Sequence, residues 1–267
     1  MGPGLMSRRA TAATTPGRPA YFTATLAKGL DILEALSGIE DSSLTDLSRS
    51  LGVSGPTLFR ILATLTARGY VAKHARTGRY RATLKSWALG AQVARRLTLR
   101  DVARPHLETL LAETREAPHL AVLEGDGVVV IDRLEAPHPV RVDTYVGQRA
   151  PAHCSATGKA ILAFRAGPTV ATTVPLTRYT NSTIDDPVAL ARELALVRKR
   201  GYAVNQEEWR RGVCAIAVPL RSAAAVAGSL SLTMPTERFG SPRRFLKPLE
   251  RAAAAISAEL GESGHPA

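Results

Sequence analysis

One short periodic stretch, broken by a single glycine, constrains this chain more than anything else in it. Leu47 and Leu51 lie four positions apart, Gly52 follows, and Leu58, Ile61, Leu62 and Leu65 then recur at helical spacing up to Gly69. Residues three and four apart share one face of a helix, so the pattern predicts two helices separated by a tight turn. Thr45 and Asp46 are suited to cap the first, and Gly52 to end it in a left-handed conformation. Ser54 is an N-cap residue for the second, and Gly55-Pro56 suits its first turn, where a missing N–H costs little. Leu26, Leu30, Leu33 and Leu36 predict a preceding helix over about 25–37. Helix, short helix, tight turn and longer helix make the helix-turn-helix plan. The second helix of such a pair presents its N-terminal residues to the base edges of the major groove. Here these are Ser54, Gly55, Thr57 and Arg60.

Directly afterwards, Tyr70–His74 and Arg79–Arg81 flank Ala75-Arg76-Thr77-Gly78, which predicts a β-hairpin. Lys73, His74, Arg76 and Arg79 occupy its tip and flanks, so the hairpin is a basic wing placed to reach a neighbouring groove or phosphates.

The charge distribution points the same way. The net charge is +12, yet residues 47–100 alone hold eleven Lys/Arg and no Asp or Glu. A charged face that only confers solubility does not require every acid to be missing from such a stretch. A polyanion such as double-stranded DNA does favour it.

At 267 residues and 45% hydrophobic content, the chain is long enough for two domains with real cores. No apolar run approaches the ~20 residues of a membrane span. Residues 1–21 are small, polar and Pro/Gly-containing, and are expected as a disordered tail without a signal-peptide core. Cys154 and Cys214 stand far apart without a CxxC motif. That spacing suits reduced thiols in the cytoplasm and neither a zinc ribbon nor a disulfide framework.

Beyond the wing, helices are expected at Leu84–Arg96 and Leu99–Arg115, then strands at His119–Glu124, Val128–Leu134 and Val140–Tyr145. Helices at about Ala156–Phe164 and Pro187–Arg200 follow, then strands at Val213–Leu220 and Val226–Thr233 and a last helix over Pro242–Leu260. The fold class is α+β. The expected divisions are a winged helix-turn-helix over 22–82, a linker and dimerisation helix over 83–98, and a ligand-binding domain over 99–267. Cys154, Ser155, Ala156 and Thr157 lead into a helix N-terminus, where exposed amides and the helix dipole favour an anion such as a carboxylate. Ser155 and Thr157 add hydroxyls, and Ser231 and Thr233 alternate along one strand and so face one side.

Taken together these segments resemble the IclR family of bacterial transcription regulators. The resemblance is carried by Lys28–Glu34, Leu44–Leu47, Thr57–Leu65, Gly69-Tyr70-Val71 and Gly78–Arg81, then by Val146–Ala163, Arg200–Ala203, Glu207-Glu208, Gly212 and Ala215–Pro219. It implies a GAF-like effector-binding domain, a small organic or aromatic acid as effector, no cofactor, and a homodimer or dimer of dimers on a palindromic operator. The family contains both repressors and activators. In its pattern an effector carboxylate is held near the positions matching Ala156 and Thr157, with help from Asn205, Ala215, Ser231 and Thr233. The pattern has an acid where Asn205 stands and a thiol where Ala215 stands, so the effector's identity stays open.

Enzymatic readings are weaker. His153 and Cys154 are adjacent and, on an extended segment, point to opposite sides, which is poor geometry for proton transfer. Gly158-Lys159 is not a phosphate loop, because His153 and Ala160 replace residues that loop requires. A redox switch at either cysteine lacks an evident source of a depressed thiol pKa.

Overall fold

The computed structural model describes residues 21–94, 97–165, 176–222 and 225–262. The chain divides into two compact units, Met1–Arg96 and Leu97–Ala267. The tail expected over 1–21 lies outside the described residues except for Tyr21.

The first unit runs α1 (Ala24–Ser37), α2 (Leu44–Leu51), α3 (Gly55–Ala67), β1 (Val71–Lys73), β2 (Tyr80–Ala82) and α4 (Leu84–Ala94). Its core gathers Ile32, Leu36, Leu47, Leu58, Leu62, Val71 and Tyr80. In α1 the buried face is Gly29, Ile32 and Leu36, while Leu26 and Leu30 from the expected stripe are exposed. The cap of α2 is Ser43 rather than Thr45 or Asp46. Its Oγ accepts from the Asp46 N–H at 3.1 Å and donates to the Asp46 carboxylate at 2.7 Å. The helix begins two or three residues earlier than those caps imply, which puts Asp46 at the third helical position, where its N–H and carboxylate both bond the Ser43 hydroxyl. Gly52 ends α2 at φ 63°, the left-handed conformation that only glycine adopts freely. The hairpin β1–β2 is antiparallel, and Ser42 extends it through two hydrogen bonds of 2.8 Å with Tyr80.

The second unit comprises α5 (Thr98–Thr114), β3 (Ala117–Glu124), β4 (Gly127–Arg133), β5 (Arg149–Pro151), α6 (Ala156–Phe164), α7 (Pro187–Arg200), β6 (Ala203–Gln206), β7 (Val213–Ser222), β8 (Ala225–Pro235), α8 (Thr236–Phe239) and α9 (Arg243–Glu262). Six strands form one antiparallel sheet in the order β5-β4-β3-β8-β7-β6. Alternation along β7 divides the two faces. Cys214, Ile216 and Val218 join Leu107, Leu120, Leu232 and Leu249 beneath α5 and α9. Ala215 and Ala217 face the other way, toward α6 and α7 with Ala160, Leu190 and Leu194. Small side chains on that second face leave space between sheet and helices.

The expected strand over Val140–Tyr145 does not form. Beside β4 the pairing is taken by Gly147 and Gln148, whose backbone bonds to Val130 measure 2.7 and 3.0 Å, and then by β5. The alternation in that segment has another use, for Val142 and Thr144 line a cavity on the helix-covered face described below. β6 and α8 were not expected from the sequence.

Candidate functional site

On the first unit, α3 buries Leu58, Ile61 and Leu62 and so turns Phe59 and Arg60 outward. Ser54 is exposed at its start, with its Oγ 3.0 Å from Thr57 Oγ1, and Gly55 and Thr57 are partly exposed. Phe59 is 54% exposed, an aromatic ring on the outer face of a helix that the leucine stripe already anchors. Sequence reading missed it; the available signal was its position just outside the stripe. In the wing, Lys73, His74 and Arg76 are exposed. His74 Nδ1 accepts the Thr77 N–H at 3.2 Å and so holds the turn. Arg79 differs from its neighbours, because its Nε donates to the Asp41 carboxylate at 2.5 Å. Its charge is partnered, and it ties the wing to the loop between α1 and α2. The surface thus sets Ser54, Thr57, Phe59 and Arg60 on one helix, followed by a basic hairpin.

The second unit holds a cavity of about 60 Å³ between the sheet and the start of α6. Ser155, Ala156, Thr157, Asn205, Ala215, Ser231 and Thr233 all line it, so residues drawn from β6, β7, β8 and α6 converge on one space. Cys154 does not line it. Asn205, Ala215 and Thr233 are successive partners across three strands. The first N–H groups of a helix have no partner within it. Here Ser155 Oγ takes that of Gly158 at 3.2 Å, while Ala156 and Thr157, the first two residues of the helix, line the cavity. Ser155 donates its proton to the Pro151 carbonyl at 2.8 Å, so its hydroxyl is a cap rather than the ligand donor expected from sequence. Gly158 is required by close approach, since a Cβ there would meet the Ala152 carbonyl oxygen at 2.2 Å.

The rest of the lining was not foreseen. Val128, Val130, Val142 and Val213 give apolar walls, Trp209 and Arg210 flank them, and His119, Thr144 and Gln148 contribute polar atoms. His119 Nε2 lies 2.8 Å from Thr144 Oγ1. Burial, aided by the charge of Arg133, pushes the His119 ring down to about 3, so it is neutral near pH 7.

One turn into α6, Lys159 Nζ reaches both carboxylate oxygens of Glu208, at 2.6 and 2.8 Å, with both residues buried. Burial pushes the Glu208 carboxyl above its ordinary value against the pull of Lys159. This pair ties α6 to the segment that carries Trp209 and Arg210. The Asn205 side chain holds the same segment by accepting the Glu208 N–H at 2.8 Å. Burial raises the Cys154 thiol to about 12, which leaves it protonated and a poor nucleophile at neutral pH. His153 gives its Nε2 to contact with the Thr177 carbonyl at 3.1 Å rather than to the thiol.

Comparison with known proteins agrees with both halves. Residues 25–75 match the family domain described as the IclR helix-turn-helix domain, and residues 91–258 match that described as bacterial transcriptional regulator IclR C-terminal. The chain is 34% identical over 246 residues to the HTH-type transcriptional regulator KdgR of Dickeya chrysanthemi, covering 90% of this chain and 80% of that one. It is 35% identical over 249 residues to the DNA-binding transcriptional repressor YiaJ of Escherichia coli, covering 88% and 87%. Among solved structures, an IclR homologue from Microbacterium hydrocarbonoxydans complexed with 4-hydroxybenzoate superposes with a TM-score of 0.75 at 30% identity, covering 89% of this chain and 99% of that one. A helix-turn-helix domain and an IclR C-terminal domain stand in one chain, and the chain belongs to the IclR family of bacterial transcription regulators.

Proposed function

We propose that this regulator binds a small carboxylic acid in the cavity of its larger unit, and that occupancy controls how tightly the smaller unit holds a palindromic operator. The observation that carries the reading is that the first residues of α6, Ala156 and Thr157, line an apolar-walled cavity. Orphan amides at the positive end of a helix dipole favour a carboxylate, and the valine walls favour a compact organic frame. That a solved relative carries 4-hydroxybenzoate supports an acid of this size. Thr157, Thr233 and Asn205 serve as supplementary contacts, and the small Ala215 leaves room at the floor. On the DNA side, Ser54, Gly55, Thr57, Phe59 and Arg60 face the bases, while Lys73, His74 and Arg76 meet phosphates. The working species is a homo-oligomer, with α4 over the 83–98 linker as its first contact, acting in the cytoplasm.

The test is thermal denaturation of the full chain against a panel of carboxylic acids and their methyl esters, followed by operator binding with each hit. A ligand at a hundred times its Kd stabilises the native state by about 2.7 kcal/mol, so a true effector raises the midpoint and its ester does not. A hit that shifts the midpoint but leaves operator affinity unchanged contradicts the regulatory half of the reading.

A further inference from the structure

The cavity contains a second polar cluster, separate from the start of α6. His119 on β3 and Ser231 on β8 are direct cross-strand partners, and Gln148 lies on the segment that pairs with β4. All three line the cavity and are buried, at 3%, 1% and 3% exposure. Each keeps one polar atom without a hydrogen-bond partner among the described residues: Nδ1 of His119, Oγ of Ser231 and Nε2 of Gln148. Two of the side chains are fixed by their other atoms. His119 Nε2 lies against Thr144 Oγ1, and Gln148 Oε1 accepts the Tyr145 N–H at 3.3 Å.

A buried donor or acceptor left unpaired costs about 1–3 kcal/mol, and native proteins rarely carry several together. Arg133 and Ser229 also hold an unpartnered atom, but neither lines this cavity. The three that do are therefore a cluster addressed to its contents. Their chemistry is specific. The Gln148 amide nitrogen only donates and needs an oxygen. Ser231 can donate or accept. The His119 ring is neutral, and because the Thr144 hydroxyl can satisfy Nε2 in either tautomer, Nδ1 is free to donate or to accept. A hydroxyl group, which also does both, matches all three. A bare aryl edge or methyl leaves them buried and unpaired, and sites built to bond a hydroxyl reject analogues lacking it by large factors.

We propose that His119, Gln148 and Ser231 select effector acids bearing a hydroxyl group. The inference rests on the reading of the cavity as a carboxylate site and adds what the remainder of the molecule must carry.

The experiment is calorimetric titration of the full chain with matched ligands: benzoate against 3- and 4-hydroxybenzoate, butyrate against 3- and 4-hydroxybutyrate, and the methyl ester of each. At least one hydroxylated acid binds tenfold or more tighter than its parent. Ser231→Ala and Gln148→Leu each compress that ratio to about threefold or less. A loss of packing alone would weaken both members together and leave the ratio intact. Ser231→Ala removes an unpartnered hydroxyl, so its thermal midpoint stays at or above that of the wild type, which keeps the test independent of folding. Ratios near one in every pair, with the acids still binding, overturn the hydroxyl cluster and spare the carboxylate site. A ratio that survives both substitutions overturns the assignment to these residues. Esters that bind as tightly as acids overturn the carboxylate site and spare the cluster, and no binding by any of these ligands overturns both.

Discussion

Lys159 Nζ sits between the two carboxylate oxygens of Glu208, at 2.6 and 2.8 Å, with Glu193 a further 3.6 Å contact, and the lysine is 1% exposed. Taking one partner from a buried ion pair strands the other charge, at a cost of about 3–5 kcal/mol, whereas replacing both with apolar groups is often close to neutral. Lys159→Met and Glu208→Leu are each expected to lower stability by roughly that amount, and the double variant to regain most of it. Urea titrations followed by circular dichroism measure this. Losses that simply add in the double variant would show that the two residues do not act as a pair.

The pair also shows what was legible in the sequence and what was not. α6 and α7 were read to their ends because their boundaries are chemical: Ser155 caps one, while Asp186 opens and Gly201 closes the other. The helix-turn-helix was legible because the Leu58 stripe and Gly52 leave few alternatives. Val140–Tyr145 misled because alternation signals two-sided exposure whether the inner side meets a strand or a cavity. β6 is only four residues long and is defined by its ladder to β7, so nothing local announces it. His119, Gln148 and Ser231 are scattered through the chain, and their unpaired atoms become visible only once β3 lies beside β8.

On DNA, residues of the recognition helix and of the wing should behave differently. Arg60→Ala should cost about 1–3 kcal/mol on the operator and relax preference at one base pair. Phe59→Ala should act likewise at a thymine, where an aromatic side chain meets the methyl group, and by about 1 kcal/mol. Arg76→Ala should weaken cognate and random DNA about equally and lower the salt slope by about one. Arg79→Ala should chiefly lower the stability of the first unit, because this arginine is bound to Asp41. Fluorescence anisotropy across a salt series, on operator and scrambled duplexes, separates these effects. Equal losses on both duplexes for Phe59→Ala and Arg60→Ala would remove them from base reading.

The neutral His119 gives stability a pH dependence of known sign. Its folded value lies near 3, below the ordinary 6.5, so the native state binds fewer protons than the unfolded chain between those limits. The contribution is complete above 6.5 and declines as pH falls toward about 3, by at most about 1.4 kcal/mol per pH unit. His153, also held below its ordinary value by burial, acts in the same sense, and Glu208, held above its own, acts in the opposite sense at pH above its ordinary 4.5. The difference between wild type and His119→Gln isolates one group. Between pH 6.5 and 5 the wild type should lose about 1.6 kcal/mol more than the variant. Parallel stability curves would mean that the imidazole titrates normally.

On α4, Leu84, Trp87 and Val93 are 80%, 72% and 67% exposed, and Leu89 is exposed as well. The helix is tethered at its start, where Thr83 Oγ1 donates to the Gly69 carbonyl at 2.6 Å and Lys85 Nζ to that of Arg68 at 2.7 Å, so the helix is held in place while its apolar side chains stay uncovered. Leu84, Trp87, Ala88 and Ala91 share one face by the three-and-four spacing, and an apolar face of this kind marks an interaction surface. A second copy of the same helix is the fitting cover, because one winged helix-turn-helix contacts too little DNA to hold a site alone and two copies on one duplex gain effective concentration. Trp87→Ala is expected to weaken self-association by about 2 kcal/mol, near thirtyfold in Kd, and to weaken binding to a two-half-site operator more than to a single half-site. Light scattering and sedimentation at micromolar concentration provide the direct measurement. A wild-type chain that is monomeric both free and on its operator would defeat the proposal, whereas a dimer that never proceeds to a tetramer would remove only the dimer-of-dimers expectation.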